Sequence, residues 1–176
     1  MPENEYLDYW NTLYAKKNYF GEGPTKLAKL AEKLLRKQNI QKILEVGCGQ
    51  GRDAIHFSQL GFDVHAFDIS KNAVQSIINI KDKMNLNKLN VFEHNVTNPL
   101  TFPDKYFDFV YSNLALQFFE LDTLSKILEN ISKVMQKNSS FLLSTKKEGD
   151  KYYKTGKKIN ANAYEHKGIT RYFYPV

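Results

Sequence analysis

The chain has 176 residues, a length that predicts one domain, and 42% of them are hydrophobic, which is enough to bury a core. No segment reaches the run of about 18 apolar residues that a membrane span needs, and the polar, acidic start of the chain is unlike a secretory signal peptide. The net charge of +6 comes mostly from residues 146–176, and the single cysteine, Cys48, allows no internal disulfide, so we expect a cytoplasmic location.

Two helices are predicted before the first strand. Residues 3–17 place aromatic side chains at roughly helical spacing, and the run 21–24, which contains two glycines and a proline, ends that helix. Pro24 suits the first turn of a second helix that continues to about Lys37. We therefore expect residues 1–40 to form a helical cap that precedes the core.

Residues 41–146 alternate between short apolar runs and helix-like segments. Such alternation favours strands joined by crossover helices, and hence an α/β fold in which a doubly wound, mostly parallel sheet has helices on both faces. Ser70 suits the N-cap of the helix that follows the second strand. The predicted strands are 42–46, 63–67, 89–93, 107–112 and 140–145, and the helix before the last strand spans about 121–136.

A glycine-rich loop follows the first predicted strand. Glu45 lies at the end of the apolar run, and three glycines then alternate with other residues before a helix-like sequence begins. These glycines are Gly47, Gly49 and Gly51. Their G-x-G-x-G spacing differs from the dinucleotide fingerprint G-x-G-x-x-G, because Arg52 stands where the last glycine would be. The loop therefore argues against the pyrophosphate site of a nicotinamide-dependent oxidoreductase.

The second predicted strand ends in a carboxylate. Asp68 lies 17 residues beyond Gly51, close to the spacing of about 20 at which a strand-end acid binds a nucleotide ribose. A carboxylate there can accept hydrogen bonds from both ribose hydroxyls and would repel a 2′-phosphate. Capping of the next helix is the alternative role, but Ser70 suits that position better. We favour the ribose role.

Polar residues also end the third and fourth strands, at Asn95 and at Ser112–Asn113. Four such signals in this order resemble the class I S-adenosylmethionine-dependent methyltransferases of the small-molecule type, whose first motif is E/D-x-G-x-G-x-G. The resemblance covers roughly residues 6–146 and implies a Rossmann-like sheet with S-adenosylmethionine as cofactor. It implies that Glu45 orients the methionine amino group and that Asp68 binds the ribose. Asn95, in place of the family's usual aspartate, would accept a hydrogen bond from the adenine amino group.

The resemblance extends to the N-terminal cap. Tyr14 and residues 19–21 resemble the segment that many small-molecule methyltransferases fold over the cofactor, where an aromatic ring could contact the sulfonium. An amphipathic packing helix is the equally supported alternative. We interpret Cys48 as the small residue that the glycine loop requires, and not as a nucleophile. The cofactor-binding residues that the resemblance implies are Tyr14, Glu45, Gly47, Cys48, Gly49, Gly51, Asp68, Ile69, Asn95, Val96, Ser112 and Asn113.

The chemistry that the resemblance implies needs no catalytic triad, and no catalytic residue or metal ligand is predicted. The sulfonium already makes the methyl group electrophilic, so placement of the acceptor can supply most of the rate enhancement. Residues 114–119, after the fourth strand, are mostly apolar, which favours a small-molecule acceptor. The N/D-P-P-Y/F signature of amino-methylating enzymes is absent, since residues 112–115 read Ser-Asn-Leu-Ala. A catalytically silent S-adenosylmethionine-binding module and an RNA-directed methyltransferase stay open as alternatives.

Residues 147–176 form a basic, tyrosine-rich tail without helix or strand periodicity. The family's sheet ends in an antiparallel hairpin for which we see no room. We therefore expect about five strands, the fifth forming an open edge where a partner protein could bind. We expect the tail to be a mobile flap beside the cofactor site, anchored by Ile169–Tyr174. Basic residues interleaved with aromatic ones can bind nucleic acid, but a solvated lysine-rich loop is the interpretation we favour, and no membrane partner is expected.

Overall fold

The computed structural model describes residues 3–36 and 40–174, so the predicted helix end at Lys37 lies outside the described residues. In this part of the chain, no helix is long and apolar enough to cross a membrane. The helices are α1 (Glu3–Tyr14), α2 (Lys26–Leu35), α3 (Arg52–Gln59), α4 (Lys71–Met84) and α5 (Leu121–Val134), with a short 3₁₀ helix at Leu116–Phe118. The strands are β1 (Lys42–Val46), β2 (Asp63–Asp68), β3 (Leu89–Glu93), β4 (Phe107–Asn113), β5 (Met135–Ser144), β6 (Lys157–Lys158), β7 (Ala163–His166) and β8 (Ile169–Tyr172).

Strands β1 to β5 form one parallel sheet in the order β3-β2-β1-β4-β5. The predicted five-stranded sheet is confirmed, and the side chains of its central strand are buried from Ile43 to Val46. The strand order reverses between β1 and β4. A crevice therefore opens at the carboxyl ends of these two strands, as in other doubly wound sheets. The loops that follow the strands converge on this crevice.

Alternate residues of the strands face two separate cores. Ile43 and Phe109 lie in one core with buried residues of α2, α3 and α4. Leu44 and Val110 lie in the other core with Ile127 of α5. Because the side chains of a strand point alternately to its two faces, helices can cover both sides of the sheet. The predicted arrangement of helices on both faces is confirmed.

Two hydroxyl side chains cap the N-termini of helices that pack near the crevice. The helix after β2 begins where predicted, and Ser70 caps it by accepting a hydrogen bond from Ala73 N (3.3 Å). The second helix begins at Lys26, with Thr25 as the N-cap residue that accepts from Ala28 N (3.1 Å), so Pro24 precedes the helix and does not lie in its first turn as predicted. Both hydroxyls satisfy backbone N–H groups that have no partner within the helix.

One predicted boundary in the core is wrong. α5 ends at Val134, and β5 begins at Met135 instead of at residue 140. β5 pairs with β4 from its first residue, but the register shifts between the pairs made by Phe107 and Phe109. An irregular pairing of this kind interrupts the period of two, so the polar residues that begin β5 resemble a turn in the sequence.

The prediction that residues 147–176 lack strands is wrong. β6, β7 and β8 form a separate antiparallel sheet, with β7 in the middle. Its strands have two to four residues, which is too short to display a period of two. The predicted anchor at its C-terminal end is confirmed, because Ile169 and Phe173 are fully buried. Within the described residues, no hairpin extends the main sheet, so β5 forms one of its edges. The binding of a partner protein at that edge stays a prediction.

Gly51 provides a test of how the glycine loop is packed. Its φ is +77°, and a Cβ atom added there would lie 2.6 Å from Cγ1 of Ile77 in α4. We expect Gly51→Ala to lower the free energy of unfolding, measured in urea, through both backbone strain and overpacking. Gly61→Ala is the matched control, since Gly61 also has a positive φ (+95°) but nothing lies within 4 Å of its added Cβ. The Gly51 variant should lose at least about 1 kcal/mol more than the control, and equal losses would contradict the packing role.

Candidate functional site

A cavity of about 710 Å³ lies at the carboxyl ends of β1, β2 and β4. Loops that follow these strands line it, together with α1, the 3₁₀ helix and the C-terminal sheet. Its position at the reversal of strand order is the usual place for a ligand in a doubly wound sheet. The predicted site residues that line it are Tyr14, Glu45, Gly47, Cys48, Gly49, Asp68, Ile69, Asn95, Val96 and Asn113.

Two predicted site residues, Gly51 and Ser112, do not line the cavity. Gly51 packs against α4, and Ser112 is fully buried with its hydroxyl donating a hydrogen bond to the carbonyl of Val46 (3.1 Å). This bond connects the end of β4 to the end of β1. Both residues therefore lie outside the lining of the cavity and pack against the elements that form it.

Asp68 connects the end of β2 to the glycine loop. Its Oδ2 accepts a hydrogen bond from Gly49 N (2.8 Å), and its Oδ1 accepts one from Ser70 N (2.9 Å). Burial raises the pKa of this carboxyl, while the backbone N–H groups of Ser70, Gly49 and Ile69 oppose that rise. An ionised carboxylate has about four lone-pair sites, so both oxygens can still accept further hydrogen bonds. The N-cap of α4 is Ser70, as the sequence predicts, and not Asp68.

Glu45 is the most unusual polar residue of the cavity. It is 3% exposed, and its Oε2 has no hydrogen-bond partner among the described residues. Burial raises its pKa well above the ordinary value, and the negative charges of Asp53 and Asp68 raise it further. A buried carboxylate without a partner is costly to ionise unless a cation or donor approaches it. The cavity is therefore complementary to a positively charged group at this position.

Arg52 and Asp53 follow the glycine loop, and the sequence leaves open whether Arg52 pairs with Asp53 or reaches the cavity. The two side chains do not pair with each other; both line the cavity and both bond to the N-terminal cap. The Arg52 guanidinium donates hydrogen bonds to the carbonyls of Gly23 (2.7 Å) and Phe20. Asp53 accepts hydrogen bonds from Thr25 N (2.7 Å) and from the hydroxyl of Tyr111 (2.6 Å). The start of α3 is thereby connected both to the start of α2 and to β4.

Gln50, a site residue that the sequence reasoning missed, connects the glycine loop to the segment after α1. Its side chain accepts a hydrogen bond from Tyr19 N (2.8 Å) and donates one to the carbonyl of Lys16 (2.9 Å). The x position that Cys48 occupies in G-x-G-x-G requires a small residue, but the position of Gln50 carries no side-chain preference, so the sequence provided no signal for this role. The glycine loop thus binds the cap through its side chains as well as lining the cavity through its backbone.

Tyr14 lies at the last residue of α1, which ends there and not at the predicted residue 17. Its ring stacks on Trp10 (5.7 Å between centroids), and Trp10 contacts Phe118 edge to face (5.1 Å). The Tyr14 hydroxyl approaches the glycine loop so closely that a Cβ on Gly49 would lie 2.8 Å from it. α1 is a packing helix and also lines the cavity, whereas a contact of Tyr14 with a sulfonium stays a prediction.

Asn95 and Cys48 complete the predicted set. The side-chain oxygen of Asn95 accepts hydrogen bonds from Thr97 N (3.0 Å) and Thr97 Oγ1 (2.8 Å), which fixes the turn after β3. Burial raises the pKa of the Cys48 thiol well above its ordinary value, and the charges of Asp68 and Glu45 add to the effect. A protonated thiol is a poor nucleophile, in line with its interpretation as a small loop residue.

The C-terminal sheet lies beside the same cavity, where the tail is predicted to lie. Arg171 of β8 lines the cavity, as do Lys146, Lys151 and Tyr152 from the segment between β5 and β6. The sequence interpretation favoured a solvated loop for this region and so missed these four residues. Among the described residues, no group of three or more His, Cys, Asp or Glu side chains is arranged to hold a metal ion.

Glu45 provides a test by the pH dependence of stability. Because its pKa is raised in the folded state, its contribution to stability is present below the ordinary glutamate pKa of 4.5 and is lost as the pH rises through the raised pKa. Glu45→Gln resembles the protonated form, so we expect a higher melting temperature than that of the natural chain at pH 7 and convergence of the two near pH 4. Each kcal/mol gained corresponds to about 2–4 °C.

The measurement is thermal unfolding by circular dichroism between pH 4 and pH 8, without any ligand. Glu129→Gln on the exposed side of α5 is the control and should follow the natural chain at every pH. A Glu45→Gln variant that is less stable than the natural chain at pH 7 would show that the carboxylate is a structural group.

The comparisons with known proteins agree with this geometry. The model of the family described as tellurite resistance protein TehB matches residues 13–161. A probable S-adenosyl-L-methionine-dependent methyltransferase TehB from Haemophilus influenzae is 30% identical over 93 residues, which are 52% of this chain and 31% of that protein. A phosphoethanolamine N-methyltransferase from Plasmodium falciparum is 24% identical over 148 residues, which are 82% of this chain and 54% of that protein. A solved SAM-dependent methyltransferase from Methanosarcina mazei has a TM-score of 0.72 and 19% identity, over 83% of this chain and 77% of that one.

The chain spans about a third to a half of the length of these curated relatives. The solved structure supports the fold alone, and it agrees with the predicted Rossmann-like architecture. The family model covers most of the chain, from α1 to the residues between β6 and β7. The protein therefore belongs to the TehB family, and the predicted resemblance to the class I S-adenosylmethionine-dependent methyltransferases is confirmed.

Proposed function

We propose that this chain transfers a methyl group from S-adenosylmethionine to a small-molecule acceptor. The observation that carries the proposal is the buried carboxylate of Glu45, whose Oε2 lacks a partner among the described residues and which lines the cavity together with Asp68. S-adenosylmethionine carries an ammonium and a sulfonium, and these are the kind of group that such a wall favours. The cofactor named for the family's relatives therefore fits the donor set of this chain.

The cavity residues divide into groups that match parts of the cofactor. Glu45 would hold the amino group, and Asp68 would accept hydrogen bonds from the ribose hydroxyls while keeping its bonds to the backbone. Ile69, Asn95 and Val96 would bind near the adenine. The backbone of the glycine loop lies between these groups and permits close approach of the ligand.

The bound cofactor would supply an electrophilic methyl group. The residues of the chain would then position the acceptor and exclude water, because correct placement can supply most of the rate enhancement. The apolar side chains of Leu116, Phe118 and Phe119 line the part of the cavity that follows β4 and would serve both tasks. We assign no general base.

A small acceptor is favoured over an RNA by the shape of the site. The cavity volume of about 710 Å³ falls within the range of roughly 300–1,000 Å³ that is usual for small-molecule sites. Residues of α1 and of β8 both line this space, so segments near the two ends of the described chain bound it together with the main sheet. A catalytically silent module would bind the cofactor in the same way but would transfer no methyl group. An assay that incubates the chain with labelled S-adenosylmethionine and a metabolite extract therefore separates methyl transfer from binding alone.

The ribose role of Asp68 leads to a binding prediction. Asp68→Asn keeps the size of the side chain but loses the charge, and charge-assisted hydrogen bonds contribute about 1.5–3 kcal/mol each. We expect S-adenosylhomocysteine, the demethylated product, to bind the variant at least about tenfold more weakly in calorimetry. Asp63→Asn, at the opposite end of β2 and outside the cavity, is the matched control and should bind normally.

NAD is the competing ligand in the same calorimetry. The natural chain should bind S-adenosylhomocysteine more tightly than NAD, because the loop lacks the third glycine of the dinucleotide fingerprint. Tighter binding of NAD, or an unchanged affinity in Asp68→Asn, would contradict the proposed site.

Glu45→Gln should change stability and affinity in opposite directions. We expect the variant to bind S-adenosylmethionine at least about tenfold more weakly, since the amino group loses a charged partner. It should nevertheless be more stable than the natural chain when no ligand is present. A residue that serves a ligand at the expense of stability behaves in this way, whereas a loss of both properties would indicate a structural role.

A further inference from the structure

Three cationic side chains converge on one aromatic ring at the edge of the cavity. The charged groups of Lys146, Lys151 and Arg171 lie 5.1, 5.0 and 4.8 Å from the centre of the Tyr152 ring. All four residues line the cavity, and they come from three places in the C-terminal segment. We call Lys146, Lys151, Tyr152 and Arg171 the basic rim.

The basic rim has more positive charge than the described part of the chain neutralises. Lys146 forms an ion pair with Asp150 (2.7 Å), but neither Lys151 nor Arg171 is paired with a described carboxylate. Three cations and one carboxylate leave a surplus of two positive charges beside the cavity that the basic rim lines. Such a surplus favours an anion, above all where the surrounding walls are apolar and focus the field.

Arg171 is the best placed of the three to recognise an anion. Its guanidinium contacts the rings of Tyr152 and Phe118, the latter at 5.7 Å, and donates one hydrogen bond, to the carbonyl of Ile169 (3.3 Å). The two aromatic contacts hold the plane of the guanidinium, while most of its five N–H donors have no described acceptor. A guanidinium fixed in this way can bind a carboxylate or a phosphate with two parallel hydrogen bonds.

The basic rim is a built part of the fold. Tyr174, beside β8, donates a hydrogen bond from its hydroxyl to the carbonyl of Phe119 (2.7 Å), and its backbone N–H donates to the carbonyl of Lys146 (3.2 Å). These bonds fix the C-terminal sheet to the 3₁₀ helix and to the end of β5. The cations therefore have a defined position relative to the apolar wall of the cavity.

The lining of the cavity includes acidic and basic side chains from different parts of the chain. Glu45, Asp53 and Asp68 belong to the strands and helix around the glycine loop, where Arg52 is bonded to carbonyls of the cap, and the basic rim belongs to the C-terminal segment. If the cationic cofactor binds the acidic group, as proposed above, the basic rim is left for the acceptor. Gln117, 3% exposed, is also among the lining residues, and its buried Oε1 has no hydrogen-bond partner among the described residues.

We propose that the methyl acceptor is a small organic anion whose carboxylate or phosphate group binds Arg171 and Lys151. Its apolar part packs against Phe118, and a hydroxyl or amino group on it donates a hydrogen bond to the Gln117 oxygen. This assignment of the acceptor class rests on the proposed methyl transfer, because only binding of the cofactor to Glu45 and Asp68 reserves the basic rim for the acceptor.

The test uses the full chain saturated with S-adenosylhomocysteine. The probes are benzoate and phenyl phosphate, with benzyl alcohol as the neutral analogue and inorganic phosphate as the anion without an apolar part. Calorimetry should give at least tenfold tighter binding for one of the two organic anions than for benzyl alcohol, and inorganic phosphate should bind more weakly than phenyl phosphate. The better of benzoate and phenyl phosphate identifies the anionic group.

In Arg171→Gln, the ratio of the affinity for the organic anion to that for benzyl alcohol should fall at least tenfold, while the affinity for S-adenosylhomocysteine stays unchanged. Lys158→Gln is the matched control, because Lys158 is an exposed cation of the same sheet that does not line the cavity, and it should keep the preference. If Arg171→Gln fails to fold, Lys151→Gln, whose side chain is exposed, provides the same measurement.

Three results would overturn the assignment of the acceptor. They are equal binding of the anions and benzyl alcohol, binding of inorganic phosphate as tight as that of phenyl phosphate, and a loss of S-adenosylhomocysteine affinity in Arg171→Gln. The last would show that the basic rim holds the carboxylate of the cofactor. Absence of S-adenosylhomocysteine binding to the natural chain would instead contradict the proposed function itself.

Discussion

The hydrogen bond from Gly49 N to the Asp68 carboxylate connects the ends of two neighbouring strands, and the shape of the cavity depends on it. It fixes the glycine loop after β1 against β2, and that loop sets the start of α3. Asp53, at this start, then holds Thr25 and Tyr111, which position α2 and β4. The buried carboxylate of Asp68 thus connects β2 to the loop from which α3 begins, and Asp53 extends this network to α2 and β4.

The buried carboxylates of the cavity lower the free energy of unfolding of the protein when no cofactor is bound. Glu45 and Asp68 are both nearly inaccessible to solvent, and burial raises the pKa of each. Backbone N–H donors, among them those of Gly49 and Ser70, offset part of this cost for Asp68, but Glu45 Oε2 accepts no hydrogen bond from the described residues. Stability is lowered where a ligand is to bind, which is a common feature of functional sites.

The walls of the cavity come from segments that are far apart in the sequence and meet at the 3₁₀ helix after β4. Phe118 contacts Trp10 of α1 on one side and the guanidinium of Arg171 in β8 on the other. The main sheet contributes acidic residues to the lining, while the two terminal segments contribute aromatic and basic ones. The architecture therefore brings groups of opposite charge from distant parts of the chain to one cavity.

The sequence by itself determined the parallel core, the glycine loop, the place of Asp68 at the end of β2 and the Ser70 cap. Each of these depends on local signals, namely apolar periodicity, the spacing of glycines and hydrogen bonds between residues close in the chain. Only the tertiary structure decided what Arg52 and Gln50 bind, that Ser112 faces Val46, and that the C-terminal segment forms a sheet. The strands of that sheet are too short to show a period, and its cations are indistinguishable in the sequence from solvated lysines and arginines. Their convergence on Tyr152 arises from contacts between distant segments, which no local pattern encodes.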